Sequence, residues 1–178
     1  MKYIRRSWSL MTLEGRHRLF RGYDHRPYWR YLAEMTDQMP PHIYKFASST
    51  ENHDLTSPQS LHDAWLDYWT VKEVLAAESA SHGHRLLQIE ARFLGPQQDR
   101  LIYLTYGRVK RYQTKGIASP ARDNKGHSDV LIHELTLEAD GSFRHELVFA
   151  SGSTFGVWFS DFEHRVEGIE KGGKHGME

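Results

Sequence analysis

Between residues 60 and 166 the chain alternates apolar and polar positions over short segments, which predicts β-strands. The segments 85–94 and 101–112 both follow this pattern, and a Gly-Pro turn separates them. A period of two is typical of strands that bury one face. We therefore predict a hairpin formed by these two segments, and a later strand over 154–160 whose apolar residues also share one side.

A second hairpin is predicted over residues 130–149. Its segments 130–138 and 143–149 flank a three-residue loop in which Gly141 would be left-handed. Pairing Glu138 with Ser142 puts eight residues of the two segments on one face: Leu131, His133, Leu135, Leu137, Phe143, His145, Leu147 and Phe149. A slip of one residue would separate the two rows, so this register is strongly preferred.

The first 50 residues predict a helical N-terminal part. An extended segment, 3–13, leads through an arginine-rich turn to a helix that Asp24 can cap and that carries Pro27 in its first turn. Apolar residues then recur at spacings of three and four, at Tyr28, Tyr31, Leu32, Met35 and Met39. A proline pair ends this helix, and a second helix over 42–48 precedes a turn-rich linker at 49–60.

The segment that follows the linker is ambiguous. Its apolar residues at 61, 64, 65, 68, 71 and 75 suit a helix, and Ser60 with Asp63 has the form of a capping box. The same segment is rich in aromatic and β-branched residues from Trp65 to Val74, which suits a strand. Periodicity leaves both structures open.

Composition narrows the functional classes. A chain of 178 residues with 39% apolar and 26% charged residues is expected to form one soluble domain and has no apolar run long enough for a membrane span. The absence of cysteine excludes a disulfide scaffold, a thiolate nucleophile and an iron–sulfur cluster. Because no apolar stretch of signal-peptide length follows the N-terminal basic residues, we expect a cytoplasmic location.

The formal net charge is zero, but the charges are unevenly distributed. Residues 1–30 hold eight basic side chains against two acidic ones, which makes weak nucleic-acid binding one alternative function. Residues 51–79 hold six acidic side chains against Lys72 alone. Such patches can steer a partner of opposite charge. They can equally be ordinary solvated surface.

His133 and His145 are the candidate ligand or catalytic pair, because the predicted register makes them diagonal neighbours. Two histidines are too few for a metal site and no carboxylate completes them, so a pair of buried, neutral, hydrogen-bonded rings is the other interpretation. Glu134 and Glu146 lie on the opposite face, where we expect solvent. Since the common phosphate-binding, dinucleotide-binding, zinc-protease and serine-hydrolase motifs are absent, we assign no catalytic residue, no cofactor and no metal.

The acidic segment also carries two tryptophans. If it is a strand, one side presents the five residues that we predict to bind a partner: Asp63, Trp65, Asp67, Trp69 and Glu73. Aromatic anchors with a charged rim are typical of protein-binding surfaces. The alternative is that this face packs beneath the N-terminal helices as part of the core.

Three stretches resemble a known group of proteins. They are SLHDAW at 60–65, FLGPQQDRLIYLTYGRVKRY at 93–112 and HSDVLIHELTLEADGSFRHELVFASGSTFGVWFSDFEHR at 127–165. Together they are similar to a family of uncharacterised small bacterial cytoplasmic proteins and, more loosely, to immunity proteins of polymorphic toxin systems. The resemblance implies a strand from Trp65 onward and a non-enzymatic protein that blocks a partner. It implies no catalytic residues.

We therefore predict a single α+β domain over 1–178. Its helical part, 1–50, would pack on an antiparallel, largely meandering sheet of about six strands within 60–166, and the tail 168–178 would be disordered. The predicted function is protein binding in an immunity-like or adaptor role, with a basic protein such as a toxin as the partner. The alternative is a small enzyme or a ligand- or metal-binding domain that uses His133 and His145.

Overall fold

The computed structural model describes residues 1–13, 16–76, 84–116 and 126–169 of the chain. The protein is mostly β, with 50% strand and 14% helix. The strands are β1 Arg5–Leu13, β2 Arg16–Asp24, β3 Trp65–Leu75, β4 Arg85–Leu94, β5 Arg100–Gly107, β6 Arg111–Lys115, β7 Val130–Leu137, β8 Phe143–Phe149, β9 Thr154–Phe159 and β10 Asp161–Gly168. The helices are α1 Arg26–Glu34, α2 Pro41–Ser48 and a short 3-10 helix, Thr50–Asn52. From residue 170 onward, the tail predicted to be disordered lies outside the described residues.

The described strands form three antiparallel sheets. β1 pairs with β2, a second sheet has the order β10-β5-β4-β3, and a third has the order β6-β9-β8-β7. The prediction of an α+β fold, with helices packed on one largely meandering sheet of about six strands, is therefore wrong. Helices of nine and eight residues are too short to cover the apolar face of such a sheet. The chain buries that face by packing two four-stranded sheets against each other.

Two chain segments run from one four-stranded sheet into the other. β5 continues after a short bend as β6, and β9 continues as β10. Residues 108–110 of the first segment lie opposite only residues 159 and 160 of the second, so one residue is extra. Arg108 adopts a left-handed conformation there, with φ of 48°. A bulge of this kind bends the strands and turns the two sheets face to face.

The buried apolar residues form one cluster, which includes the inward rows of these two sheets and the apolar residues of both helices. Trp69 on β3 packs against Phe155 on β9 with ring centroids 4.8 Å apart. Tyr106 on β5 packs against Phe159 on β9 at 5.1 Å. Removing such a side chain from water contributes roughly 2 kcal/mol. The inward rows of the strands therefore hold the two sheets together.

Both predicted hairpins are confirmed, since β4 pairs with β5 and β7 pairs with β8. In the second hairpin the N–H of Glu138 donates to the carbonyl of Ser142 at 2.8 Å, as the predicted register requires. Gly141 in its loop has φ of 78°. The alternation did not predict the bulge at Leu131, where the pairing shifts by one residue.

The N-terminal part contains more strand than we predict from its sequence. The arginine-rich segment 16–24 is β2 and pairs residue by residue with β1. Its expected role as a turn is wrong because strand formation depends on an available partner strand more than on intrinsic preference. The side chains of residues 7–21 are outside the described part of the hairpin.

Two tyrosine hydroxyls attach α1 to the edge of β7. Tyr28 Oη accepts the N–H of Leu135 at 2.9 Å and donates to the carbonyl of the same residue at 3.0 Å. Tyr31 Oη accepts the N–H of Leu137 at 2.7 Å. β7 is an edge strand, and these hydroxyls satisfy backbone groups that its own sheet leaves without partners. This helix therefore closes a sheet edge.

Glu134 attaches the first residues of the chain to β7. This residue is 2% exposed, and its carboxylate accepts the backbone N–H groups of residues 2–4 at 2.8–2.9 Å. The cross-strand neighbour Glu146 contacts the ammonium group of Met1. The expectation that these two glutamates face solvent is wrong, because the N-terminal backbone covers them.

Candidate protein-binding site

A bulge in β3 separates the two tryptophans of the predicted binding surface. The pairing with β4 shifts by one residue between Leu66 and Tyr68, which leaves Asp67 as an extra residue. In a regular strand Trp65 and Trp69 would share one side, but the extra residue turns them to opposite sides. Trp69 packs into the core, whereas Trp65 is 48% exposed.

The other predicted binding residues lie along the same strand or just before it. The side chain of Asp63 is 51% exposed and lies two residues before Trp65. Asp67 and Glu73 each form an ion pair with an arginine of β4, Glu73 near the far end of β3. The structure thus groups Asp63, Trp65 and Asp67, and it places Glu73 and the inward-facing Trp69 apart from them.

The start of β3 is joined to the start of β7, at a junction that we call the seam. The N–H of Asp63 donates to the carbonyl of Val130 at 2.8 Å, and the N–H of Val130 donates to the carbonyl of Ala64 at 3.0 Å. Trp65 and Asp129 form an isolated antiparallel bridge. Through these contacts the outermost strands of the two four-stranded sheets meet.

Two residues at the seam have a strained backbone. Asp63 has φ of 62° and Ser128 has φ of 61°. Within the described ranges the only other non-glycine residues with positive φ are Gln98 and Arg108. A left-handed conformation costs roughly 1 kcal/mol or more in such residues, and it is often kept where a binding site requires it. Because these two residues do not favour this conformation by themselves, the hydrogen bonds of the seam hold the backbone on either side of the Trp65–Asp129 bridge.

A cavity of about 460 Å³ opens beside the exposed indole. Its walls are Trp65, Leu66, Gly126, His127, Ser128 and Asp129. His127 is fixed by its Nδ1, which lies 2.8 Å from the hydroxyl of Ser153, and by ring contacts with the core. The cavity is thus bordered by an aromatic face, a positioned imidazole and a carboxylate, which is the usual mixture of apolar and polar groups in a binding pocket.

The charge at the seam is negative. Among the described residues, the carboxylate of Asp63 pairs with the ring of His62 at 3.0 Å, and Asp129 forms no ion pair. Asp67 nearby is compensated by Arg92 at 2.5 Å. A half-exposed indole beside two available carboxylates suits a lysine or arginine side chain, because the ring attracts a cation and the carboxylates pair with it.

His133 and His145, the alternative site, form a buried hydrogen-bonded chain. Tyr106 Oη lies 2.7 Å from His145 Nδ1, His145 Nε2 lies 3.1 Å from His133 Nδ1, and His133 Nε2 lies 3.0 Å from the carbonyl of Asn52. Since a carbonyl only accepts, His133 carries its proton on Nε2 and accepts at Nδ1 from His145. His145 then accepts at Nδ1 from the tyrosine hydroxyl. Every ring nitrogen is satisfied while both imidazoles are neutral.

Burial keeps this chain neutral. It lowers the pKa of His133 to about 4 and that of His145 well below its usual value. The pKa of His53, whose ring stacks on His133 at 4.1 Å, is also lowered by burial. Burial raises the pKa of the Tyr106 hydroxyl. These groups hold their protons in one arrangement, which suits a structural role.

The described residues contain no group of three or more histidine, aspartate or glutamate side chains that could hold a metal ion. His133 and His145 are 1% and 0% exposed, and their nitrogens are used within the chain of hydrogen bonds. The hypothesis of an enzyme or metal site built on this pair gains no support from that geometry.

The sequence did not predict two members of the chain, Asn52 and Tyr106, or the ring of His53 that stacks on it. Asn52 is 81 positions from its partner His133, and Tyr106 is 39 positions from His145. No spacing rule connects residues at such separations. The only sequence signal was the number of histidines, 12 in a chain without cysteine.

No protein-family model matches this chain, and no match was found among curated proteins or solved structures. The resemblance to small bacterial proteins and immunity proteins stays a prediction. Neither α-helix in the described part of the chain is long and apolar enough to cross a membrane. The cytoplasmic location also stays a prediction, and the functional conclusion depends on the geometry of the seam.

Proposed function

We propose that this protein binds another protein without catalysing a reaction, in an immunity-like or adaptor role, and that its partner docks at the seam. The observation that carries the proposal is the 48% exposed indole of Trp65 at the cavity, with the carboxylates of Asp63 and Asp129 beside it. An exposed tryptophan next to a preformed cavity is the usual form of an interface hot spot. The negative charge favours a basic partner segment.

A cationic side chain of the partner seated in this cavity would meet the indole of Trp65 and the carboxylate of Asp129, which both line it. A guanidinium or ammonium group stacked on Trp65 would contribute roughly 1 kcal/mol, and the carboxylates would orient it. The protein contains the same type of contact elsewhere, since the guanidinium of Arg111 lies 3.7 Å from the centroid of the Trp158 ring. The left-handed residues at 63 and 128 support a preformed site, because their strain is retained in the free protein.

The proposal is tested by selecting peptides from a random library displayed on phage, with the wild-type protein as bait. We expect selected peptides to be enriched in arginine and lysine, and their affinity to fall with rising salt. The Trp65→Ala variant should bind the same peptides at least about tenfold more weakly, which is the loss expected for a hot-spot residue. Affinities are measured by isothermal titration calorimetry.

Tyr112→Ala is the matched control, because Tyr112 is another exposed aromatic side chain, 44% exposed, but lies on β6 away from the seam. It should bind the selected peptides as the wild type does. Selection of acidic or uncharged peptides, or equal binding by wild type and Trp65→Ala, would rule out the seam as the docking site.

A further inference from the structure

A second cavity, of about 430 Å³, lies between α2, the 3-10 helix and β10. We call it the helix cavity. It is built from a helix face, a linker and a strand that are distant in sequence, and it is separate from the seam. Residues from all three elements line it, among them Lys45, Phe46, Glu51, Phe162, Glu163 and His164. Cavities of this volume hold a small molecule.

The inner wall of the helix cavity is aromatic. Phe46 and Phe162 are 3% and 7% exposed, with ring centroids 4.8 Å apart. The ring of His164 lies 4.9 Å from that of Phe46. Its Nε2 atom is buried and has no hydrogen-bond partner among the described residues. Burial lowers the pKa of His164, so its neutral ring adds to the aromatic inner wall.

The outer wall carries charges of both signs that do not pair with each other. Lys45 on α2, Glu51 on the 3-10 helix and Glu163 on β10 form no ion pair within the described ranges. Elsewhere on the surface, charges of opposite sign on neighbouring strands do pair, as Lys72 and Glu90 do at 2.6 Å. The helix cavity therefore offers one cationic and two anionic groups with space between them.

We propose that the helix cavity binds a free α-amino acid with an apolar side chain. The carboxylate of the ligand pairs with Lys45, its ammonium group pairs with Glu51 and Glu163, and its side chain packs on Phe46 and Phe162. A zwitterion is favoured because it pairs with both signs of charge at once, whereas a simple anion or cation would pair with only one of them. The apolar side chain is favoured by the two phenylalanine rings.

Binding is tested by titrating the wild-type protein with L-leucine and with L-phenylalanine by isothermal titration calorimetry. N-acetyl-L-leucine, which lacks the ammonium group, and L-leucinamide, which lacks the carboxylate, serve as matched ligands. We expect at least one of the two amino acids to bind. If leucine binds, each of its blocked analogues should bind at least about tenfold more weakly than leucine itself. If only phenylalanine binds, its N-acetyl and amide derivatives replace those of leucine.

Two variants assign the binding to this cavity. Lys45→Gln and Glu163→Gln should each weaken amino-acid binding at least about tenfold, whereas Lys72→Gln, on the outer surface of β3, should not change it. Circular dichroism checks that each variant is folded. The proposal fails if neither amino acid binds, if a blocked analogue binds as tightly as the free amino acid, or if folded Lys45→Gln and Glu163→Gln variants bind like the wild type.

Discussion

Asp67 determines the separate roles of the two tryptophans of β3. As an extra residue in the pairing with β4, it rotates the strand so that Trp65 faces solvent and Trp69 faces Phe155. Without the bulge both indoles would lie on one side, and either the core or the surface would lose its aromatic group. One residue therefore supplies a packing group and a binding group from the same strand.

Replacing each tryptophan by alanine should separate these roles. Trp69→Ala should lower the free energy of unfolding by about 3 kcal/mol, because it leaves a cavity against Phe155 and Tyr106. Trp65→Ala should lower it by less than about 1 kcal/mol, since its ring is half exposed. Urea unfolding followed by circular dichroism measures both. Equal losses in the two variants would show that the indoles are not on opposite sides.

At the scale of elements, the bend between β5 and β6 decides the architecture. Gly107 ends β5 directly before the bulge and pairs with Asp161, the first residue of β10. A Cβ atom on Gly107 would lie 2.9 Å from the Cβ of Asp161. The two segments approach each other more closely here than a side chain allows, which is a structural reason for glycine at this position.

Gly107→Ala should therefore reduce the free energy of unfolding by about 1–3 kcal/mol, because the strands must move apart at the bend. Gly168→Ala is the matched control, since it is also a glycine in this strand pair and nothing lies within 4 Å of its added Cβ. The control should change stability by no more than about 0.5 kcal/mol. Thermal and urea unfolding compare the two, and a Gly107→Ala protein as stable as the control would contradict the close approach.

At the scale of the whole molecule, buried histidines connect the helical segment to both four-stranded sheets. Burial lowers the pKa of five of them: His25, His53, His133, His145 and His164. They belong to the start of α1, the linker, β7, β8 and β10, so the elements that enclose the core share one set of neutral rings. A charge on either of the two fully buried rings, His133 or His145, would lack both water and a counter-charge among the described residues.

The stability of the protein should fall as the pH is lowered from about 6.5 to about 4. The unfolded chain takes up protons on its histidines near pH 6.5, whereas the folded chain takes one up at His133 only near pH 4, so acid favours unfolding. The shift at His133 alone corresponds to about 3 kcal/mol lost across this window. Urea unfolding at several pH values above about 4.5 measures the effect before most carboxylates are protonated.

His133→Asn should reduce the pH dependence of the unfolding free energy by up to about 1.4 kcal/mol per pH unit within this window, whatever its effect on absolute stability. His84→Asn is the control, because His84 is exposed before β4 and lies outside this set of rings. A stability that is constant between pH 7 and pH 4.5, or identical slopes in the two variants, would show that the rings are not held neutral in the fold.

Local pattern was sufficient for much of the secondary structure. The alternation of apolar and polar residues predicts the strands β4, β5, β8 and β9, and turn chemistry predicts the loop at Gly141. Both signals act between near neighbours in the sequence. The same reasoning predicts the first residue of α2 to within one position and the start of α1 near Asp24. It missed β2, because a strand without strong alternation forms only when a partner strand is present.

Local sequence pattern sets which residues are apolar and at what period, and it therefore accounts for most of the described strands and for the register of the β7–β8 hairpin. The number of sheets, the exposure of one tryptophan of β3 and the partners of His133 and His145 are set only in the folded chain. The physical reason is that bulges, strand partners and hydrogen bonds across 39 or 81 positions depend on the packing of the whole chain. Local preference is the same whether or not that packing occurs.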